Sequence, residues 1–387
     1  MPTPIRALVV IGTRPEAVKL APLVLELRRF PERFQVRVAV TAQHREIMDE
    51  VLSAFEIIPE HDLNVMAAQQ TPAGVAAKVL TGIEEILAQQ PTDLLLVEGD
   101  TTSCLAASLA AFYSKVAVGH VEAGLRTYDR WQPFPEEINR RLVAGVADLH
   151  FAPTNAAREN LAREAIPQEA IFVTGNTVID ALKEIQDRLP PLPTDLQSLV
   201  GQGRMLLVTA HRRENWGEPL REICLALRDL AAAFPDVRVV YASHPHPEVQ
   251  RAVREVLTGI DRVAVVNFPK YAHFVSLMKQ AYLVLTDSGG VQEEAPALGK
   301  PVLVLRATTE RPEGIAAGVA LLCGTKREDI VSQASRLLSD SRAYQQMAHV
   351  ANPYGDGNAS ARIRQAVEYH FGLSTTRPTE FGSPMNV

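Results

Sequence analysis

Three stretches of the 387-residue sequence bring together side chains suited to gripping an anion. The first is Gly12-Thr-Arg-Pro-Glu-Ala-Val-Lys19, directly after the apolar run Ala7 to Ile11. Its glycine permits a tight turn, Pro15 suits the first position of a helix, and Arg14 stands at that helix's positive end. Lys19 lies about one helical turn past Pro15, so both cations can face one ligand. The second stretch runs Thr286-Asp-Ser-Gly-Gly-Val-Gln-Glu-Glu294, again after an apolar run. Gly289 and Gly290 let backbone N–H groups approach an anion, Ser288 adds a hydroxyl, and Glu294 can accept bonds from a ribose. The third, Thr209-Ala-His-Arg-Arg-Glu-Asn-Trp-Gly217, gathers His211, Arg212 and Arg213, a set suited to a pyrophosphate. An ion-paired surface loop built on Glu214 is the alternative for this stretch.

Acids occur at similar places. Glu98-Gly-Asp100 follows the run Leu94–Val97, and Asp100 can either cap the next helix or reach a ligand. Gly119-His-Val-Glu-Ala-Gly-Leu-Arg-Thr127 places Glu122 near Arg126, and Glu136 with Glu137 opens a helix after Pro135. Taken together, Asp100, Glu122 and Glu136 can supply the acid and base that proton abstraction and return require. The first turn lacks the Gly-x-Gly-x-x-Gly spacing, so no nicotinamide cofactor is indicated.

These motifs need elements that place them at one edge. Short β-branched runs alternate with amphipathic segments almost from end to end, the pattern of parallel sheets covered by helices on both faces. Six strands are expected in the first half, namely 7–11, 36–40, 94–97, 116–118, 149–151 and 171–173. Five follow in the second, namely 205–209, 238–241, 263–266, 282–286 and 302–305. The fold class is α/β, with two doubly wound Rossmann-like domains facing across a cleft. Ligands of such sheets collect beyond the carboxyl ends of the strands, where the motifs above fall.

The balance of 39 Lys and Arg against 45 Asp and Glu, a formal charge of -6, argues against nucleic acid as a partner. No apolar run reaches the ~20 residues of a membrane span, so no membrane partner is expected. Three dispersed cysteines, Cys104, Cys224 and Cys323, read as reduced core thiols of a cytoplasmic protein.

Read jointly and in order, these motifs resemble the non-hydrolysing UDP-N-acetylglucosamine 2-epimerases. The likeness adds Thr41-Ala-Gln-His-Arg-Glu46, Thr309-Glu-Arg-Pro-Glu313 and Asn352-Pro-Tyr-Gly-Asp-Gly357, and it spans about residues 5 to 371. It implies a glycosyltransferase-B-like fold with domains at 1–174 and 175–357. A C-terminal helix over 358–372 packs back on the first domain, and 373–387 forms a disordered tail. It also implies a homodimer that converts UDP-GlcNAc to UDP-ManNAc without a cofactor or metal, in cell-surface polysaccharide biosynthesis. The reaction would be anti elimination of UDP to a 2-acetamidoglucal, followed by re-addition. By this likeness Asp100, Glu122, Glu136 and His211 are catalytic. Arg14, Lys19, Phe274, Ser288, Gly289, Gly290, Glu294 and Arg311 bind the substrate. Gln43 and His44 would line a second, allosteric site, although Gln69 stands where activated relatives carry arginine. A retaining UDP-sugar glycosyltransferase, a hydrolysing 2-epimerase and a non-catalytic UDP-sugar sensor are the rival readings. The acids of the first half weigh against the transferase and the sensor.

Overall fold

The computed structural model describes residues 3–41, 45–65, 71–200 and 203–382. The chain divides into two compact units, Met1–Glu184 with Tyr354–Val387, and Ile185–Pro353.

The first unit is built on seven strands: β1 (Ile5–Ile11), β2 (Phe34–Val40), β3 (His61–Asp62), β4 (Leu94–Glu98), β5 (Ala117–Val121), β6 (Leu149–Ala152) and β7 (Ile171–Val173). All pair in parallel, in the order β3-β2-β1-β4-β5-β6-β7. Strands covered on both faces must be apolar throughout, and in β1 every residue except Arg6 is buried. The second unit carries β8 (Arg204–Thr209), β9 (Val237–Ser243), β10 (Val263–Asn267), β11 (Leu283–Thr286), β12 (Val302–Val304) and β13 (Ala320–Leu322). These are also parallel, in the order β10-β9-β8-β11-β12-β13. Its core joins Leu206, Val208, Ile223, Leu227, Tyr241 and Leu303 around the inner strands.

The α/β architecture expected from the alternating runs is present in both units. Two short strands, β3 and β13, were not anticipated, because two or three residues carry too little pattern. β5 runs on to Val121, so Gly119 and His120 lie inside the sheet and Glu122 is the first residue beyond it.

The first division falls after Glu184, beyond the expected 174/175 junction. Bonds within the first unit explain the position: Asn176 N–H donates to Tyr354 O at 2.7 Å, and Arg29 pairs with Glu184 at 3.1 Å. The helix Ala359–His370 packs on the helix Arg14–Arg28, tied by Arg364 to Glu26 at 2.8 Å. Asp180 receives that terminal helix by accepting from Ala359 N–H and Ser360 N–H at 3.1 and 2.7 Å. Burial lifts the Asp180 carboxyl to about 6 against the pull of these N–H groups.

The tail expected to be disordered is instead docked over 373–382. β7 is an edge strand with unpaired backbone groups, and the tail supplies their partners. Phe381 N–H donates to Val173 O at 2.8 Å, Arg377 donates to Ile171 O and Glu169 O, and Arg158 pairs with Glu380. No helix among the described residues is long and apolar enough to cross a membrane.

Candidate active site

In the first unit the strand order reverses between β1 and β4, the point at which such sheets collect ligands. Gly12 follows β1 directly, and an added Cβ there would lie 2.7 Å from Ser103 Cβ, so only glycine fits. Glu16 folds back to accept from Gly12 N–H and Thr13 N–H at 2.5 and 2.6 Å, and from the Thr101 hydroxyl. Burial outweighs these bonds and raises its carboxyl to about 7. Arg14 is the first residue of the helix Arg14–Arg28.

Lys19, one turn along that helix, points inward and is 9% exposed. Its Nζ lies 2.6 Å from Glu122 Oε1 and 2.9 Å from Glu98 Oε1. Asn176 donates to the same Glu122 oxygen at 2.8 Å. Glu122 adopts φ +60, a left-handed conformation that costs a non-glycine residue about 1 kcal/mol or more, and tertiary contacts hold it there. Behind this pair His120 Nε2 donates to Gly99 O at 2.7 Å. Burial holds the His120 ring neutral, at about 3.

Asp100 does not cap the helix Thr102–Tyr113. Thr101 does so, accepting from Cys104 N–H at 3.1 Å. Asp100 is ion-paired with Arg140, and Asn139 donates to its backbone carbonyl. Arg140 and Asn139 belong to the helix Glu136–Ala144, so Glu136 opens the element that clamps Asp100. Glu136 is half-buried, whereas Glu137 is fully buried and accepts from Thr127 N–H and Tyr128 N–H. Arg126, expected near Glu122, is instead paired with Glu164 at 2.6 Å.

The second unit repeats the arrangement where its order reverses between β8 and β11. Asp287 follows β11 and accepts from His211 N–H, Arg212 N–H and the Asn215 amide at 2.8, 2.8 and 2.9 Å. This one carboxylate therefore shapes the loop after β8. The His211 ring lies 3.7 Å from Asp287 and stacks on His244 at 5.4 Å between centroids. Ser288 precedes the helix Gly289–Ala297. A Cβ at Gly289 would stand 3.7 Å from an Arg212 nitrogen and 3.9 Å from one of Arg311, so two guanidiniums flank the open start of that helix. An anion there meets backbone N–H groups, the helix's positive end and both arginines.

Glu294 lies in the helix's second turn and accepts from the Tyr271 hydroxyl at 2.8 Å. Phe274 is 2% exposed, its ring stacked on Phe268 at 5.0 Å. Arg311 is paired with Glu293, and Arg306 bridges Glu214 and Glu310 at 2.6 and 2.7 Å. Although burial opposes ionisation of Glu310, the bond from Arg306 and the charges of Arg212, Arg306 and Arg311 bring it to about 2.

The candidate residues thus fall into two sets. Lys19 and Glu122 are joined directly, Asp100 and Glu136 are linked through one helix, and His211, Ser288, Gly289, Gly290 and Arg311 gather in the second unit. Gln43, His44 and Gln69 lie outside the described residues. Sequence reasoning gave no role to Glu98, Arg140, Asn176, Asp287 or Arg306. Glu98 and Asp287 each carried a signal, an acid at or just after the end of an apolar run. Among the described residues no group of three or more His, Cys, Asp or Glu is arranged to hold a metal.

Comparison with known proteins identifies the family. Residues 26–368 match the family model described as UDP-N-acetylglucosamine 2-epimerase. The chain is 50% identical over 373 residues to the UDP-N-acetylglucosamine 2-epimerase of Yersinia pestis, covering 94% of this chain and 99% of that one. It is 48% identical to that of Bacillus subtilis, covering 97% and 98%. Among solved structures, the Neisseria meningitidis UDP-GlcNAc 2-epimerase bound to UDP-GlcNAc superposes with a TM-score of 0.87 at 43% identity, covering 94% and 99%. The Staphylococcus aureus MnaA–UDP structure superposes at 0.89 with 44% identity, covering 98% and 100%. Both units accordingly take the glycosyltransferase-B-like, doubly wound form. By sequence and by fold, the chain belongs to the UDP-N-acetylglucosamine 2-epimerase family.

Proposed function

We propose that the protein interconverts UDP-GlcNAc and UDP-ManNAc by anti elimination and re-addition of UDP, without releasing free sugar. The observation that carries this reading is the buried Lys19–Glu122 contact at 2.6 Å, an acid held ready for proton transfer in a chain whose relatives include one solved with UDP-GlcNAc.

The chemistry explains the need for such a group. The hydrogen on C2 of the sugar has no adjacent carbonyl, so its direct removal is slow. Elimination avoids that difficulty: a base takes the C2 proton while the C1–O bond breaks and its electron pair leaves with UDP. The glucal then takes UDP back at C1 and a proton at the opposite face of C2. Asp100, Glu122 and Glu136 are assigned to these proton transfers, with Lys19 setting the charge around Glu122. Arg14, His211 and Arg311 stabilise the charge that grows on the departing diphosphate. Ser288, Gly289 and Gly290 hold the phosphates, Glu294 the ribose, and Phe274 the wall beside the base. The active species is taken to be a cytoplasmic homodimer, which sedimentation measurements would check.

Incubation with UDP-GlcNAc in deuterated water, without NAD or acceptor, tests the reading by NMR. The expected result is deuterium at C2 in an equilibrating GlcNAc/ManNAc mixture of UDP-sugars. Accumulation of free ManNAc would select a hydrolysing epimerase, and turnover only with an added acceptor would select a transferase.

A further inference from the structure

Glu98 has no assigned role, yet it sits against a buried, paired charge of the first unit. It ends β4, is 3% exposed, and places Oε1 2.9 Å from Lys19 Nζ, the same ammonium that touches Glu122 at 2.6 Å. One buried cation thus faces two buried carboxylates. If both were ionised, the trio would carry a net negative charge in a site where Glu16, from the same helix as Lys19, adds another acid. His120, on β5, is held neutral by burial and supplies no compensating charge. Asn176 donates to Glu122, favouring its charged form and leaving Glu98 as the better place for a proton. Burial, and after it the opposing pull of Lys19 and the negative charge of Glu122, leave the Glu98 carboxyl well above its ordinary range.

We propose that Glu98 is a positioning residue that shares one proton with Glu122 across Lys19, and so sets the proton affinity of the group that works on C2. This rests on the epimerase reading above for its consequence, but the proton sharing itself can be tested without turnover. Two acids coupled in this way titrate in two separated steps that belong to the pair. Removing either charge leaves a single step at lower pH than the upper of the two, because the like charge beside it is gone.

The test labels glutamate with carbon-13 at the carboxyl and follows the pH titration of wild type, Glu98→Gln and Glu122→Gln by NMR. Each variant is expected to lose one step and to lower the remaining midpoint by about one pH unit or more relative to the upper wild-type step. Midpoints that stay where they were in wild type would overturn the proposal. In parallel, the limb of the kcat profile that coincides with the upper step should move to lower pH by a similar amount in Glu98→Gln, with UDP affinity within about twofold. An equal loss of kcat at every pH, with the limb unmoved, would mean a purely structural role. Should Glu98→Gln fail to fold, Glu98→Asp, which withdraws the carboxyl from Lys19 by one methylene, is expected to move the limb part of the way. Coupled titrations in a wild-type protein that exchanges no hydrogen at C2 would sink the epimerase reading while leaving the proton sharing in place.

Discussion

The two units place their motifs at matching points of their sheets but treat charge in opposite ways. In the first unit, acids are buried with fewer cations than carboxylates: Glu16 is pushed up to about 7, and Glu98 and Glu122 divide one lysine. In the second, the acids at the strand ends meet several donors or cations each. Asp287 takes three hydrogen bonds, Glu293 is paired with Arg311, and Glu310 is pulled down to about 2. A group near its midpoint at neutral pH can exchange protons, whereas a group far from it can only hold its charge. The contrast rests on Glu16, raised to about 7, and Glu310, held at about 2, and it accords with the proposal that proton transfer belongs to the first unit and anion binding to the second.

That contrast can be broken by substitution. Glu122→Gln should lower kcat by about 10³-fold, within the range for loss of a general acid or base, while the UDP dissociation constant stays within about threefold. A comparable loss of UDP affinity would erase the distinction between the units. The next largest effect concerns stability. Glu16 has a raised folded-state value, so its stabilisation is complete below about 4.5 and is lost as pH rises through about 7. Glu16→Gln should therefore gain on wild type across that window, by at most about 3 kcal/mol, as urea denaturation at the two ends would reveal. A constant difference at all pH values would show that Glu16 does not titrate there.

Arg311→Lys keeps the charge but loses the planar fork, and should weaken UDP binding about tenfold by calorimetry while the pH profile of kcat stays in place. The smallest change is Tyr271→Phe, which removes the hydroxyl bound to Glu294 and should cost about threefold in UDP affinity, near 0.7 kcal/mol. If it altered the pH profile instead, the groups that set that profile would not be confined to the first unit.

The parts legible in the sequence were those set by local pattern. Apolar runs located eleven strands, and glycines beside polar residues at their ends marked Arg14, Asp100, Glu122 and Ser288 as site candidates, since doubly wound sheets expose those positions. What escaped depended on the fold. Arg126 lies four residues from Glu122 yet turns to Glu164, and Arg140 reaches Asp100 from a helix 40 residues away, distances that no spacing rule encodes. Glu98 read as part of a turn because the strand's last residue cannot be told from the first beyond it. The tail looked disordered from its Ser, Thr and Pro content, but Arg377 and Phe381 found unpaired backbone at β7, which composition does not report.

The first unit is interrupted in sequence: its last piece, from Tyr354 onward, is synthesised after the whole of Ile185–Pro353. The first unit therefore cannot close until the helix that Asp180 receives and the strap that covers β7 have been made, both after the second unit. Closure of the first unit is therefore non-local: a chain cut after Pro353 would keep every strand of the second sheet while leaving Asp180 and the β7 edge without the groups that meet them.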